Sequence, residues 1–196
     1  VSDYGVSQQI SGCAVDTRDH TLWVPDLTND FVYHFNLTDG GNLSGGFGTI
    51  STGAGGVIDM DFDSRDNSFW LMDYDDGFVY HFNSVGVNQS DGFGVGTASD
   101  YAGIALDTRN YTFWTFKTSV EDIFHFENST QLGSFDIGTT YGATEGFGVE
   151  FDSRDGSLWV TDQNGGVYHF LASDTGGNLT GYFNSSASSG VPILGY

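Results

Sequence analysis

Positive charge is nearly missing from this chain. Five Lys and Arg stand against 26 Asp and Glu, a net charge of −21 over 196 residues, and 22 of the acids are Asp. A field of that sign repels phosphate backbones and anionic headgroups, so nucleic acid is excluded as a partner and no membrane insertion is expected. It favours solubility in salt and loose association with cations. Cysteine occurs once, at Cys13, which excludes an intrachain disulfide. Its place on an apolar face predicts a buried small hydrophobe rather than a reactive thiol. No apolar run is long enough to span a bilayer, and neither a leader segment nor an initiator Met is seen. The expectation is a mature processed product or a piece of something longer. Helical periodicity is lacking throughout. Disorder is excluded in turn by the aromatic content of 17 Phe, 10 Tyr and 4 Trp.

What the chain has is a repeat. Trp23, Trp70, Trp114 and Trp159 are spaced 47, 44 and 45 residues apart. Each closes the same phrase, from Asp16, Asp63, Asp107 or Asp152 through Ser/Thr, Arg and a polar turn to Leu or Phe and then Trp. A period near 45 with a strand-like pattern predicts propeller blades. In the second repeat, residues 58–62 alternate, 63–67 form a turn, 68–72 and 78–82 read as strands, and Gly92-Phe93-Gly94 carries the fourth. The predicted architecture is therefore all-β, a four-bladed β-propeller of four-stranded blades. Blades are placed at residues 10–56, 57–101, 102–147 and 148–190, in one domain 1–190 followed by a strand-like tail 191–196. The alternative is part of a larger propeller completed by another chain or by further sequence.

The first strand of each repeat predicts how blades pack. One and three residues before the repeat Asp stand Val15 and Cys13, Phe62 and Met60, Leu106 and Ile104, Phe151 and Val149; between them come Ala14, Asp61, Ala105 and Glu150. A bulky face against a small or acidic one suits wedges packed around an axis. Repeats two and four share the acid, so Asp61 and Glu150 are expected to face each other across a channel. There they would bind solvent or, with a raised pKa, do acid–base work. The apolar residues Val191, Pro192, Ile193, Leu194 and Tyr196 occupy the slot of a fifth first strand, which a closed ring of four leaves without a place. They are expected to contact a neighbouring subunit by strand addition.

Taken together, a strand ending in Asp, a polar turn, Leu22-Trp23-Val24 followed by Asp26, then Val32-Tyr33-His34-Phe35 and a Gly-x-Phe-Gly segment resemble the NHL-type and streptogramin-lyase-like propeller repeat over residues 10–190. The resemblance implies blades rather than a chemistry. The turn Gly that the repeat carries before the Trp is kept only as Gly156, and four repeats are fewer than the usual five or more. Whether one chain closes a ring alone is left open.

Candidate chemistry is sparse. Arg18, Arg65, Arg109 and Arg154 recur once per repeat, leaving only Lys117; such retention predicts a tie to an Asp or a carbonyl across neighbouring blades. His34, His81, His125 and His169 recur on the third strand and are predicted to hydrogen-bond the adjacent blade. Metal ligands must lie within about 2 Å of one ion, and His on separate blades do not. Asp26, Asp73 and Asp162 follow their Trp by three and read as turn-forming carboxylates, with Lys117 in the third repeat. Asp73, Asp75 and Asp76 beside Gly77 form the densest acidic loop and the candidate Ca²⁺ site. No catalytic residue is assigned, since no Ser/His/Asp, Cys/His, phosphate-loop or zinc pattern is visible.

Seven of eleven Asn head an Asn-x-Ser/Thr triplet: Asn36, Asn42, Asn88, Asn110, Asn128, Asn178 and Asn184. They predict N-glycans and an extracellular or cell-surface location, against the plainer reading that these residue types crowd turns. The expected function is a non-enzymatic structural or adhesive subunit of an extracellular assembly or filament, its partners further copies of itself and glycans. The alternatives are a metal-dependent propeller lyase or lactonase, and a carbohydrate- or peptide-binding module.

Overall fold

A computed structural model describes residues 9–10, 12–173 and 176–185. The fold is all-β, four four-stranded antiparallel blades of a β-propeller, each a meander in sequence order. Blade 1 is β1 (Ala14–Asp16), β2 (Thr21–Asp26), β3 (Phe31–Asn36) and β4 (Phe47–Gly48); blade 2 is β5 (Val57–Asp63), β6 (Ser68–Asp73), β7 (Phe78–Asn83) and β8 (Phe93–Gly94). Blade 3 is β9 (Tyr101–Asp107), β10 (Thr112–Lys117), β11 (Asp122–Glu127) and β12 (Thr130–Asp136). Blade 4 is β13 (Gly146–Asp152), β14 (Ser157–Asp162), β15 (Gly166–Ser173) and β16 (Gly176–Asn184). A 3-10 turn at Ile50–Thr52 and one helical turn at Gly138–Tyr141 interrupt the pattern.

The Asp phrase builds the first hairpin of every blade. The Asp carboxylate accepts the N–H of the Arg two residues on, 3.0 Å away in all four blades, which bends the chain out of the strand. The next strand is entered through a residue with positive φ: His20 at 60°, Asn67 at 66°, Tyr111 at 67° and Gly156 at 80°. Glycine is thus kept at one of four positions whose backbone favours it.

Outer strands differ between blades. In blades 1 and 2 the fourth strand is two residues long, after a loop pinned by isolated bridges Phe35↔Asn42 and Phe82↔Asn88. Blades 3 and 4 have seven- and nine-residue fourth strands. Each short strand is preceded by a glycine, Gly46 or Gly92, because nothing larger fits there. A Cβ there would stand 2.7 Å from the Val32 carbonyl or 2.4 Å from that of Val79.

The chain forms two compact units, residues 1–99 and 100–196. In the first, blade 1 packs on blade 2 through Trp23 and Phe69, ring centroids 4.7 Å apart, and Phe47 and Phe82, at 5.5 Å. In the second, blade 3 packs on blade 4 through one core holding Trp114, Phe116, Phe135, Phe151, Leu158 and Phe170, with Phe135 and Phe170 again 5.5 Å apart. Each sealed ring contributes about 1.5–3 kcal/mol by leaving water.

One expectation is corrected here. Cys13 is exposed, and in β1 it is Ala14 and Asp16 that are buried while Val15 is 43% exposed. The alternation was read in the right phase, since Met60 and Phe62 at the same positions are buried. Burial of that face requires a covering blade, and Cys13 and Val15 lie on a face that is not sealed.

Candidate functional site

The once-per-repeat polar residues converge within blades. Antiparallel register sets each Trp on the second strand opposite the His on the third, and the rings stack in blades 1 to 3 and lie tilted in blade 4. Centroids lie 3.8 Å apart for Trp23–His34, 3.9 Å for Trp70–His81, 3.8 Å for Trp114–His125 and 4.2 Å for Trp159–His169. The expected bond to an adjacent blade is therefore corrected for the residues whose partners are seen. His34 Nδ1 meets the Ser44 carbonyl at 3.1 Å, and His169 Nδ1 the Thr180 hydroxyl at 2.6 Å, each within its own blade. A flat ring pressed on an indole of the neighbouring strand has its edge aimed along its own sheet.

In blade 2 the same stack extends into a chain that sequence reasoning missed. His81 Nε2 lies 2.6 Å from Ser68 Oγ, and Nδ1 lies 2.7 Å from Asp91 Oδ1. Hydroxyl, imidazole and carboxylate stand in the order used by acyl-transfer triads. Ser68, however, is buried and donates its proton to Asp66 Oδ1 at 2.5 Å, so this hydroxyl does not face solvent. Its counterparts Thr21 and Thr112 donate likewise to Asp19 and Asn110, which makes the chain a turn-to-core strut. The signal lay in the hydroxyl residue two positions before every Trp, on the face that bears the His.

The Arg residues pair with their own blade's Asp. Arg65 reaches Asp63 at 2.7 Å and Arg109 reaches Asp107 at 2.8 Å, with a second bond from Nε in each case; Arg18–Asp16 and Arg154–Asp152 repeat the fork. The reach across blades is by stacking: Arg18 lies 4.8 Å from the Phe62 ring and Arg109 4.7 Å from Phe151. Hydrogen bonding from Arg18 holds the Asp16 carboxyl below the usual range, and Arg154 draws that of Asp152 down to about 2.

Asp26, Asp73 and Asp162 are turn formers, as expected. Asp26 Oδ1 accepts from the N–H of Thr28 and Asn29, and Asp162 Oδ1 from Asn164 and Gly166. Asp73 accepts from Asp75 N–H at 2.8 Å and Gly56 N–H at 3.2 Å. Burial raises its pKa. Asp76 instead accepts from the Tyr80 hydroxyl at 2.8 Å, and Asp75 is exposed over Gly56. Among the described residues, no group of three or more His, Cys, Asp or Glu is gathered to hold a metal. Asp73 and Asp76 are thus spent on separate partners, and Asp75 is left on the surface. Lys117 sits 3.3 Å from Asp100, over the Tyr101 and Phe124 rings.

Asp61 is half-buried on β5 opposite Trp70, in the first unit, and Glu150 is exposed on β13 opposite Trp159, in the second. Glu150 lines a cavity of about 400 Å³ with Phe151, Asp152, Ser153, Arg154 and Trp159. Trp159 is 38% exposed, against 4–5% for the other three Trp. Of the triplet Asn residues, Asn42, Asn110, Asn128 and Asn178 are exposed, and Asn36, Asn88 and Asn184 are half-buried. Asn36 and Asn88 each accept the N–H two residues on, at 2.7 and 2.8 Å, and Asn110 accepts from Thr112; these three have a turn to hold. Val191, Pro192, Ile193, Leu194 and Tyr196 lie outside the described residues.

The fold these blades define is a streptogramin-lyase-like β-propeller. A streptogramin B lyase structure superposes with a TM-score of 0.60 at 14% identity, over 92% of this chain and 56% of that one. A virginiamycin B lyase from Staphylococcus aureus gives 0.60 at 17%, over 93% and 58%. A chain of a nidogen/laminin complex gives 0.59 at 14%, over 82% and 75%. This chain thus spans little more than half the length of the two lyases. No protein-family model and no curated protein sequence matches it.

Proposed function

We propose that the chain is a secreted, N-glycosylated, non-enzymatic propeller, a structural or adhesive subunit that joins copies of itself head to tail in an extracellular assembly, with residues 191–196 contacting a neighbour. One observation carries the reading. The polar residues repeated in every blade, His on Trp and Arg on Asp, are spent on holding the blade. Exposed Asn42, Asn110, Asn128 and Asn178 support glycan attachment outside the cell. No cofactor is required; Ca²⁺ association is a property of the acidic surface in this reading.

A second reading is a metal-dependent lyase or lactonase. The lyase neighbours favour it, as does the cavity beside Glu150. It expects activity lost in Asp61→Ala or Glu150→Ala. A carbohydrate- or peptide-binding module would instead use the exposed aromatics Trp159 and Phe183.

Light scattering on the intact chain and on one lacking residues 191–196 tests the assembly. Unchanged mass on truncation removes the tail from the reading. Mass spectrometry of natively produced protein, before and after enzymatic deglycosylation, tests the glycans. No Asn-to-Asp conversion at any of the seven triplets would withdraw the secreted assignment.

A further inference from the structure

Asp66, Ser68, His81 and Asp91 are joined by three short contacts whose protons can be counted. Ser68 Oγ has a single hydrogen and gives it to Asp66 Oδ1 at 2.5 Å. The same oxygen lies 2.6 Å from His81 Nε2, so toward the ring it can only accept, and Nε2 carries a proton. Across the ring, Nδ1 lies 2.7 Å from Asp91 Oδ1, and a carboxylate also only accepts. Nδ1 therefore carries a proton as well. A neutral imidazole has one such proton, and a second makes it a cation. The ring is pressed flat on Trp70, with planes 4° apart. The charged groups set against it are Asp91 from the loop before β8 and Asp66 from the turn before β6, the latter 3.8 Å from Nε2.

Blade 1 repeats the arrangement without the charge. His34 stacks on Trp23, and its Nδ1 donates to a carbonyl, that of Ser44, ten residues on as Asp91 is from His81. Thr21, at the place of Ser68, gives its proton to Asp19. His34 Nε2 has no hydrogen-bond partner among the described residues. One ring proton, on Nδ1, satisfies this site. In both blades the His contact falls just before a two-residue fourth strand, β4 or β8. A strand that short has little ladder of its own, so the bond from the His on the third strand helps to fix where it lies.

We infer that His81 is an imidazolium clamp, which holds the Asp91 end of its loop, and with it β8, only while the ring keeps both protons. In that form the charge-assisted bond to Asp91 closes the loop, and Phe93 packs on Trp70 with centroids 6.2 Å apart. Loss of one proton turns a ring lone pair toward an oxygen that can only accept. Ser68 is fixed within β6, paired with Asp63 on one side and Asn83 on the other, so the partner that moves is Asp91 in its loop. The neutral clamp of blade 1 does not respond. This device stands apart from the assembly reading above.

NMR of the histidine ring nitrogens in the intact chain reads the proton count. At neutral pH, His81 is expected to show a proton on both nitrogens and His34 on Nδ1 alone. The second readout is amide hydrogen exchange, corrected for its intrinsic pH dependence. Raising the pH until His81 gives up a proton should lower the protection of the Val95 N–H, which bonds the Gly77 carbonyl, by about tenfold or more, the worth of a charge-assisted bond. The matching Thr49 N–H of blade 1, on the Asp30 carbonyl, should keep its protection. Asp91→Asn, whose amide can donate to a bare Nδ1, should leave one proton on His81, at Nε2, and uncouple Val95 from pH. A single ring proton on wild-type His81 at neutral pH overturns the clamp, as does a Val95 response no larger than that of Thr49 or one kept in full by Asp91→Asn. The ring count needs no variant and decides the clamp even where Asp91→Asn loses its near-UV circular dichroism.

Discussion

Trp114 and Trp159 close the same phrase of residues and stand opposite the same His, yet one is sealed and the other 38% exposed. The stack responds. His125 lies 3.8 Å from Trp114 with planes 4° apart; His169 lies 4.2 Å from Trp159, tilted by 34°. Identical local wording gives different environments because burial comes from the neighbouring blade. The pair of blades shows which part of the repeat is intrinsic, namely hairpin and register, and which is conferred by stacking.

Truncating the two indoles should separate these contributions most strongly. Trp114→Ala should destabilise by about 3–5 kcal/mol in denaturant unfolding, as buried Trp removal does, and Trp159→Ala by well under half of that. Equal losses would show that the exposed indole is covered in solution. The His partners come next. His81→Ala, which removes two hydrogen bonds and a parallel stack, should cost about 2–3 kcal/mol; the loss for His169→Ala should be smaller. A third contrast uses the forks. Asp107→Asn removes charge-assisted bonds from a buried carboxylate and should cost about 1–3 kcal/mol, while Asp152→Asn, whose Arg154 partner is open to water, should leave the unfolding midpoint nearly unchanged.

The smallest effect is the pH profile. Asp16 is held low by Arg18, so the stability it contributes is present above the ordinary Asp value of 3.8 and is lost as pH falls below it. Burial pushes Asp73 and Asp122 the other way. Their protonation favours the folded form as pH descends toward that ordinary value. Thermal unfolding midpoints should therefore rise modestly on mild acidification and fall below it. A monotonic decline from neutrality would remove the burial effect at Asp73.

Blade number, strand order and the Asp turns were legible because they follow from local pattern: period 45, alternation, and an Asp that bonds its own backbone. The Trp–His stack was not, since it needs the register of two strands 11 residues apart along the chain, from Trp23 to His34. The Ser68–His81–Asp91 chain needed a third element, the loop before β8, and no spacing rule joins those residues. Cys13 was misplaced for the reason that separates Trp159 from Trp114. Alternation names a face and is silent on what covers it. Asp75 and Asp76 look equivalent in sequence, yet only Asp76 is tied down by Tyr80.

The hairpin entry before each Trp has a practical consequence. His20, Asn67 and Tyr111 hold a backbone twist that costs an ordinary side chain about 1–2 kcal/mol, while Gly156 holds it freely. Evolution has left slack at three corners of the molecule. Relaxing them one at a time with glycine offers a route to a tougher variant that leaves its interior untouched.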